Sequence, residues 1–168
     1  MTVSFSTLWD NFPEDPIIHK DPKTGKDIFD NHCAINLSQC LNNSGIQIKA
    51  FAGTLCWSCP SGRIHIIRAE EMAAWLKLKP FIGCPAWETY TGSNFVEKLD
   101  GRTGIIYLAD YWRRGSSESS RTGDHIDLWN GTRMTDLSSY FRAQWGLSWD
   151  GYLSDYRKAK KVIFWPIS

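Results

Sequence analysis

The sequence has no apolar run near the ~20 residues needed to cross a bilayer, so no transmembrane helix is predicted. Residues 1–12 lack a basic start followed by an apolar core, and we therefore expect no secretory signal peptide. Positive and negative charges are nearly balanced, since the sequence has 19 Lys and Arg and 18 Asp and Glu, which gives a net charge of +1. This balance argues against nucleic-acid binding through a basic footprint. We expect neither membrane insertion nor a nucleic-acid partner.

Cysteine is too scarce for a disulfide scaffold, because only five are present and the odd count leaves at least one thiol free in a monomer. Cys56 and Cys59 have the spacing of half a zinc site or of a redox pair. No second Cys-x-x-Cys and no His-x-x-x-His supplies further ligands, so we predict no metal and no cofactor. A disulfide and free structural thiols both remain open for this pair. Cys40 and Cys84 are expected to pack as small core side chains.

The length of 168 residues fits one domain spanning residues 1–168, and no repeat or linker divides it. Apolar spacing predicts helices over residues 5–12, 33–44, 69–78 and 137–144, and the second of these has Asp30 or Asn31 as its cap and Gly45 at its end. Strands are predicted over residues 104–112, 125–129 and 161–167, with a polar loop at residues 113–123 and a further strand around His65. Helices followed by mainly antiparallel strands define an α+β fold. The basic residues of the segment 157–161 are expected to be solvent-exposed as the chain enters the last strand.

Cys33 opens the second predicted helix. A thiolate is the reactive form of cysteine, and a helix N-terminus favours an anion through its partial positive charge. The same backbone N–H groups can stabilise an oxyanion. Cys33 is therefore the candidate nucleophile, although burial as an ordinary core cysteine is the competing interpretation.

His125 is the candidate general base, because a neutral imidazole can accept the thiol proton and return it to a leaving amine. His65 is the main rival, while His19 and His32 are weaker ones. A third group normally fixes the base, and Asp136, Asp127 and Asn130 are candidates. Asp136 is favoured over Asp127, because side chains two apart on a strand stand parallel and do not converge.

Nine tryptophans are many for this length. Trp57, Trp87, Trp112 and Trp129 are candidates to line a groove for a sugar or a peptide. Packing in the core and on the sheet is expected for most of them.

Two blocks of sequence, Asn31-His32-Cys33-Ala34-Ile35-Asn36-Leu37-Ser38 and His125-Ile126-Asp127-Leu128-Trp129-Asn130-Gly131, resemble the type VI secretion amidase effectors of the fourth family. These proteins are relatives of the NlpC-type papain-like peptidases. The resemblance covers residues 30–140 and implies a papain-like fold with N-terminal helices packed on a mainly antiparallel sheet. It places the nucleophile at Cys33, the base at His125 and the acid at Asp136.

The resemblance also implies a substrate, partners and a location. The expected reaction is hydrolysis of the γ-D-glutamyl–meso-diaminopimelate amide in peptidoglycan stem peptides. The expected partners are a cognate immunity protein and the type VI secretion machinery. Such a toxin is made in the bacterial cytoplasm without a signal peptide and is delivered to the periplasm of target cells.

The chain departs from the family pattern at two positions. Asn36 stands where a basic residue is common, and we expect it to alter substrate or immunity contacts. Asp124 stands where glycine often precedes the histidine, and we expect it to raise the pKa of the base or to compete for it. Neither change removes a catalytic atom.

Three alternatives remain. An acyl-transferring, transglutaminase-like cysteine enzyme would leave a new amide in place of an acid and an amine. A non-catalytic cell-wall or partner-binding module would keep its effect after Cys33→Ala. A zinc-supported structural protein is the weakest of the three, because the ligand count falls short.

Overall fold

The computed structural model describes residues 2–59, 64–113, 121–135 and 156–168, with the backbone alone at residues 111–113 and 121–122. Its elements are four helices and four strands within these ranges: α1 (Phe5–Asp10), α2 (Cys33–Asn43), α3 (Ala69–Lys77), β1 (Glu88–Tyr90), α4 (Phe95–Lys98), β2 (Gly104–Arg113), β3 (Arg121–Trp129) and β4 (Lys161–Pro166). No helix in these ranges is long and apolar enough to cross a membrane.

Helix α2 begins at Cys33, as the apolar spacing predicted. Ala34, Leu37 and Leu41 recur on one face and are buried. Gly45 follows the helix with a φ of 79° and donates its N–H to the Asn42 carbonyl oxygen at 3.1 Å. This left-handed conformation favours glycine, so Gly45 ends the helix as expected.

The strands form one antiparallel sheet in the order β1-β4-β2-β3. Strand β4 lies between β1 and β2, and β3 pairs only with β2 within the described sheet. Helix α2 contacts β3 at this edge. Helices early in the chain and an antiparallel sheet late in it confirm the α+β prediction.

Alternate residues of the strands build two cores on opposite faces of the sheet. Helices α1, α2 and α3 cover one face, where the strand side chains are Ile105, Tyr107, Ile126, Leu128, Ile163 and Trp165. The other face packs against α4 and Tyr156, with strand side chains Ile106, Leu108, Trp129, Val162 and Phe164. His125 pairs with Leu108 and Asp127 with Ile106, which assigns both to the second face.

Several boundaries differ from the predictions. The polar loop predicted over residues 113–123 is too long at both ends, because β2 continues to Arg113 and pairs there with Arg121 of β3. The hairpin extends through polar residues that carry no apolar signal.

The strand predicted around His65 is wrong, since only an isolated bridge between Leu55 and Ile66 forms there. Elements β1 and α4 were missed, because three or four residues are too few for a period to be recognised. The helix predicted over residues 137–144 lies outside the described residues.

Candidate active site

Cys33 is buried at the start of α2, with 6% of its surface exposed. The residue before the helix is His32, whose side chain makes no capping hydrogen bond. Asn31 supplies the polar contact instead, because its Oδ1 accepts a hydrogen bond from the Cys33 N–H at 3.1 Å. Of the two predicted caps, Asn31 is therefore the one that contacts the helix start. The sulfur lies on the first turn, where the helix dipole favours negative charge.

His125 lies on β3 and is also buried. The Cys33 side chain lies within hydrogen-bond reach of its imidazole, so the two predicted residues meet in space although more than ninety positions separate them. Burial alone would lower the pKa of His125. Hydrogen bonds and charge from Asp127 and Cys33 outweigh burial and raise the pKa to about 10. The site therefore favours an imidazolium beside the sulfur.

Asp127 contacts the imidazole directly, with 3.2 Å between its Oδ2 and His125 Nε2. Its other oxygen, Oδ1, accepts hydrogen bonds from the Leu128 N–H at 2.7 Å and from the Thr135 hydroxyl. The geometric argument against Asp127 is wrong for this pair, because two side chains on one strand face reach each other here. Asp136 follows Thr135 directly in sequence but lies outside the described residues, so its assignment stays a prediction.

Tyr156 completes the surroundings of the imidazole and was missed by the sequence analysis. Its ring stacks on His125 with 5.5 Å between ring centroids and 28° between ring planes. The tyrosine is itself buried, so it covers this face of the base. Its position is set by the return of the chain toward β4, and no local sequence pattern signals such a contact.

The rival histidines lie in other environments. His32 contacts Asp27, with 2.5 Å between its Nε2 and the carboxylate Oδ2. His65 contacts Cys59 and Gln39. His19 lies 3.4 Å from the Cys59 sulfur, measured from Nε2. Among the four histidines, His125 is thus the one whose described contacts include the Cys33 thiol.

A second group of reactive side chains consists of His19, Cys56, Cys59 and His65, here called the Cys2His2 cluster. One ligand atom from each residue lies within 4.8 Å of the others. The argument that the ligand count falls short is therefore wrong, because His19, which is distant in sequence, and His65, six residues after Cys59, join the cysteine pair. Burial, with a contribution from Cys56, raises the pKa of Cys59 to about 12, and burial lowers the pKa of His19 despite the nearby Asp27 charge.

The two departures from the family pattern have structural roles instead of the expected ones. Asn36 is fully buried and its Oδ1 accepts the Ile17 N–H at 2.9 Å, so it offers no surface for a substrate or an immunity protein. Asp124 accepts the Asp110 N–H at 2.9 Å, and together with burial it raises the pKa of Tyr107. It is engaged by β2, on the strand face opposite His125, and not by the base.

The packing expected for most of the candidate tryptophans is confirmed for Trp129 but not for Trp57 or Trp87. Trp129 is fully buried and donates its indole N–H to the Leu99 carbonyl oxygen at 2.9 Å. Trp57 and Trp87 are exposed, and the Trp112 side chain lies outside the described part of the chain.

The basic residues of the segment 157–161 are exposed, which confirms the prediction that the segment leading into β4 is solvated.

The fold and this site define an α+β protein with a buried cysteine–histidine pair between a helix start and an edge strand. The chain belongs to the Tae4 family, type VI secretion system amidase effector protein 4, whose family model matches residues 29–165. This confirms the resemblance seen in the sequence, and membership of an amidase effector family implies a hydrolase.

Solved structures agree with this fold. Tae4 from Salmonella typhimurium, in an effector–immunity structure with Tai4, is 21% identical with a TM-score of 0.66, and the match covers 100% of both chains. Tae4 from Enterobacter cloacae is 19% identical with a TM-score of 0.66, covering 100% of this chain and 98% of that one. The Enterobacter cloacae Tae4–Tai4 complex gives 20% identity and a TM-score of 0.65, covering 100% of both chains. The comparison with curated proteins found no match.

Proposed function

We propose that this protein is a papain-like cysteine amidase that hydrolyses the γ-D-glutamyl–meso-diaminopimelate amide of peptidoglycan stem peptides. The observation that carries the proposal is the proximity of the Cys33 side chain to the His125 imidazole. A nucleophile and a base in contact, with a carboxylate bonded to the base, are the parts of covalent amide hydrolysis. The family match supports the amidase class.

Two half-reactions follow from these groups. The Cys33 thiolate attacks the amide carbonyl carbon, and the resulting oxyanion is stabilised by backbone N–H groups of the first turn of α2. The imidazolium then gives its proton to the departing diaminopimelate amine, which leaves a thioester at the sulfur. Neutral His125 next takes a proton from water, and the hydroxide attacks the thioester. The acid product leaves, and the thiolate and imidazolium are restored.

The two ring nitrogens of His125 have different partners in this mechanism. The Asp127 carboxylate lies at Nε2, which leaves Nδ1 for the sulfur and the reacting amine. We propose Asp136 as the acid of the triad on the family resemblance, which requires it to share Nε2 with Asp127, and we propose Asp127 as a positioning residue on its contact with the ring. Tyr156 stacks on the ring and limits its rotation.

The biological setting extends the proposal to partners. Salmonella and Enterobacter Tae4 proteins are found in complexes with the immunity protein Tai4. We propose a cognate immunity protein for this chain as well, together with export by the type VI secretion machinery into the periplasm of target cells. We propose that residues 1–168 form one catalytic domain.

The test is mass spectrometry of purified muropeptides after incubation with wild-type protein, Cys33→Ala or Cys84→Ala. Wild type and Cys84→Ala are expected to release products cut after D-glutamate, while Cys33→Ala leaves the muropeptides intact. Cys84 is a matched control, because it is also a buried free cysteine but lies outside the site. Circular dichroism checks that each variant is folded.

Other products contradict the proposal in distinct ways. Intact muropeptides with folded wild-type protein would restrict the family likeness to the fold and favour a binding module. A new amide in place of the acid and amine would indicate acyl transfer. Cleavage that persists in Cys33→Ala would remove this cysteine from the mechanism.

A further inference from the structure

We infer that the Cys2His2 cluster binds a zinc ion with a structural role, separate from the Cys33–His125 pair. Its four donors come from the segment before α2 and from the chain between α2 and α3. Two thiolates and two imidazoles are the donor set that zinc prefers in closed structural sites. Because all four positions are filled by protein atoms, no position remains for a catalytic water.

The distances fit one ion at the centre of the cluster. Cys59 Sγ lies 3.4 Å from His19 Nε2 and 3.2 Å from His65 Nδ1. Zinc bonds of about 2.3 Å to sulfur and about 2.0 Å to nitrogen, at tetrahedral angles, separate such atoms by about 3.5 Å. With all four ligand atoms within 4.8 Å, an ion needs only small shifts of the side chains.

Neighbouring groups orient two of the ligands for metal binding. His65 Nε2 lies 3.0 Å from the amide oxygen of Gln39, so this nitrogen carries the proton and Nδ1 presents its lone pair to the centre. The Ser58 N–H donates to the Cys56 sulfur over 3.4 Å, which helps to fix the position of that sulfur. Hydrogen bonds of this kind to the ligands fix the tautomer and the orientation that a metal requires.

The cluster is shielded on one side by aromatic rings. Phe29 packs edge-on to His19 with 5.4 Å between ring centroids, and Trp57 packs on Phe29 at 5.0 Å. Both histidines are buried. Gln39 belongs to α2, so an ion here would connect the segment around His19 and the Cys56–Cys59 turn to the helix that carries the nucleophile.

The test is metal analysis of the full-length protein purified under reducing conditions and then dialysed against zinc. One zinc per chain is expected in wild type and in Cys84→Ser, and loss of stoichiometric zinc is expected in Cys59→Ser and His19→Ala. Gln39→Ala, which removes the partner of His65 and also a hydrogen bond to Asn43, is expected to bind zinc roughly 10–100-fold more weakly. Cobalt substitution should add a sulfur-to-cobalt charge-transfer band, which Cys84→Ser keeps and Cys59→Ser weakens.

Three results would overturn the inference. The first is reduced, folded wild-type protein that binds no zinc above background. The second is a Cys59→Ser variant that keeps wild-type zinc affinity and the same cobalt spectrum. The third is a Cys56–Cys59 disulfide found by peptide mapping together with no zinc uptake after reduction. Metal content is measured on wild type as well as on variants, so a variant that fails to fold does not decide the outcome.

Discussion

At the residue scale, the pKa of His125 is set by opposing electrostatic effects. Removal from water disfavours its charged form, while the Asp127 carboxylate and the Cys33 sulfur favour it, and the net effect raises its pKa. A buried charge is tolerated only where partners compensate for lost hydration. The carboxylate is itself fixed by the Thr135 hydroxyl and the Leu128 N–H, so the pair has little freedom to separate.

The alkaline limit of activity tests this balance. The pKa of His125 is raised to about 10, so the imidazolium persists through neutral pH and is lost as the pH rises through that value. We expect the basic limb of the kcat/KM profile to lie well above pH 6.5 in wild type. Asp127→Asn removes the main group that raises this pKa, so its basic limb should move to lower pH. An unchanged limb in that variant would mean that Asp127 does not control the base.

Asp136→Asn is the matched comparison in the same assay. As the orienting acid, Asp136 is expected to contribute about 10²–10⁴-fold to kcat through the tautomer and position of the imidazole. If Asp136→Asn keeps wild-type turnover and Asp127→Asn loses it, the role of the third triad member passes to Asp127.

At the scale of elements, α2 and the β2–β4 pair set the geometry of the molecule. Helix α2 carries Cys33 on its first turn. On later turns, Asn36 forms a hydrogen bond with Ile17, and Gln39 forms one with His65. Strand β2 pairs with β3 in a defined register and so sets the position of His125. The position of β2 depends in turn on its close approach to β4 at Gly104.

Gly104→Ala tests that approach. A Cβ at this position would lie 2.1 Å from the Trp165 carbonyl oxygen and 2.9 Å from the Phe164 ring. Backbone cannot move aside as a flexible side chain can, so we expect a loss of about 3 kcal/mol in the free energy of unfolding. Urea denaturation measures it. Gly25→Ala is the control, because its Cβ meets nothing within 4 Å and its φ of 68° alone should cost about 1 kcal/mol. Equal losses would mean that the approach of β4 is not tight.

At the scale of the whole molecule, the sequence predicted what local periodicity encodes. Helix α2, its glycine end and the long strands follow from spacing, and Cys33 and His125 follow from chemistry and motif. The contact of Asp127 with His125, the stacking of Tyr156 and the union of His19 and His65 with two cysteines depend on tertiary packing. Ligand counting along the sequence fails for the Cys2His2 cluster, because His19 lies far from Cys56 and has no characteristic spacing to it.

The order of the sheet has a consequence for synthesis on the ribosome. Strand β4 is the last of the four described strands to be synthesised, yet it lies between β1 and β2. Until Val162–Trp165 emerge, β1 has no described neighbour and β2 has one unpaired edge, so the sheet cannot close before these residues leave the ribosome. A chain stopped after Lys158 is expected to be digested by protease as fast as an unfolded chain, and resistance in that fragment would refute this. The scaffold behind His125 would then be completed only after residues 162–165 have been synthesised.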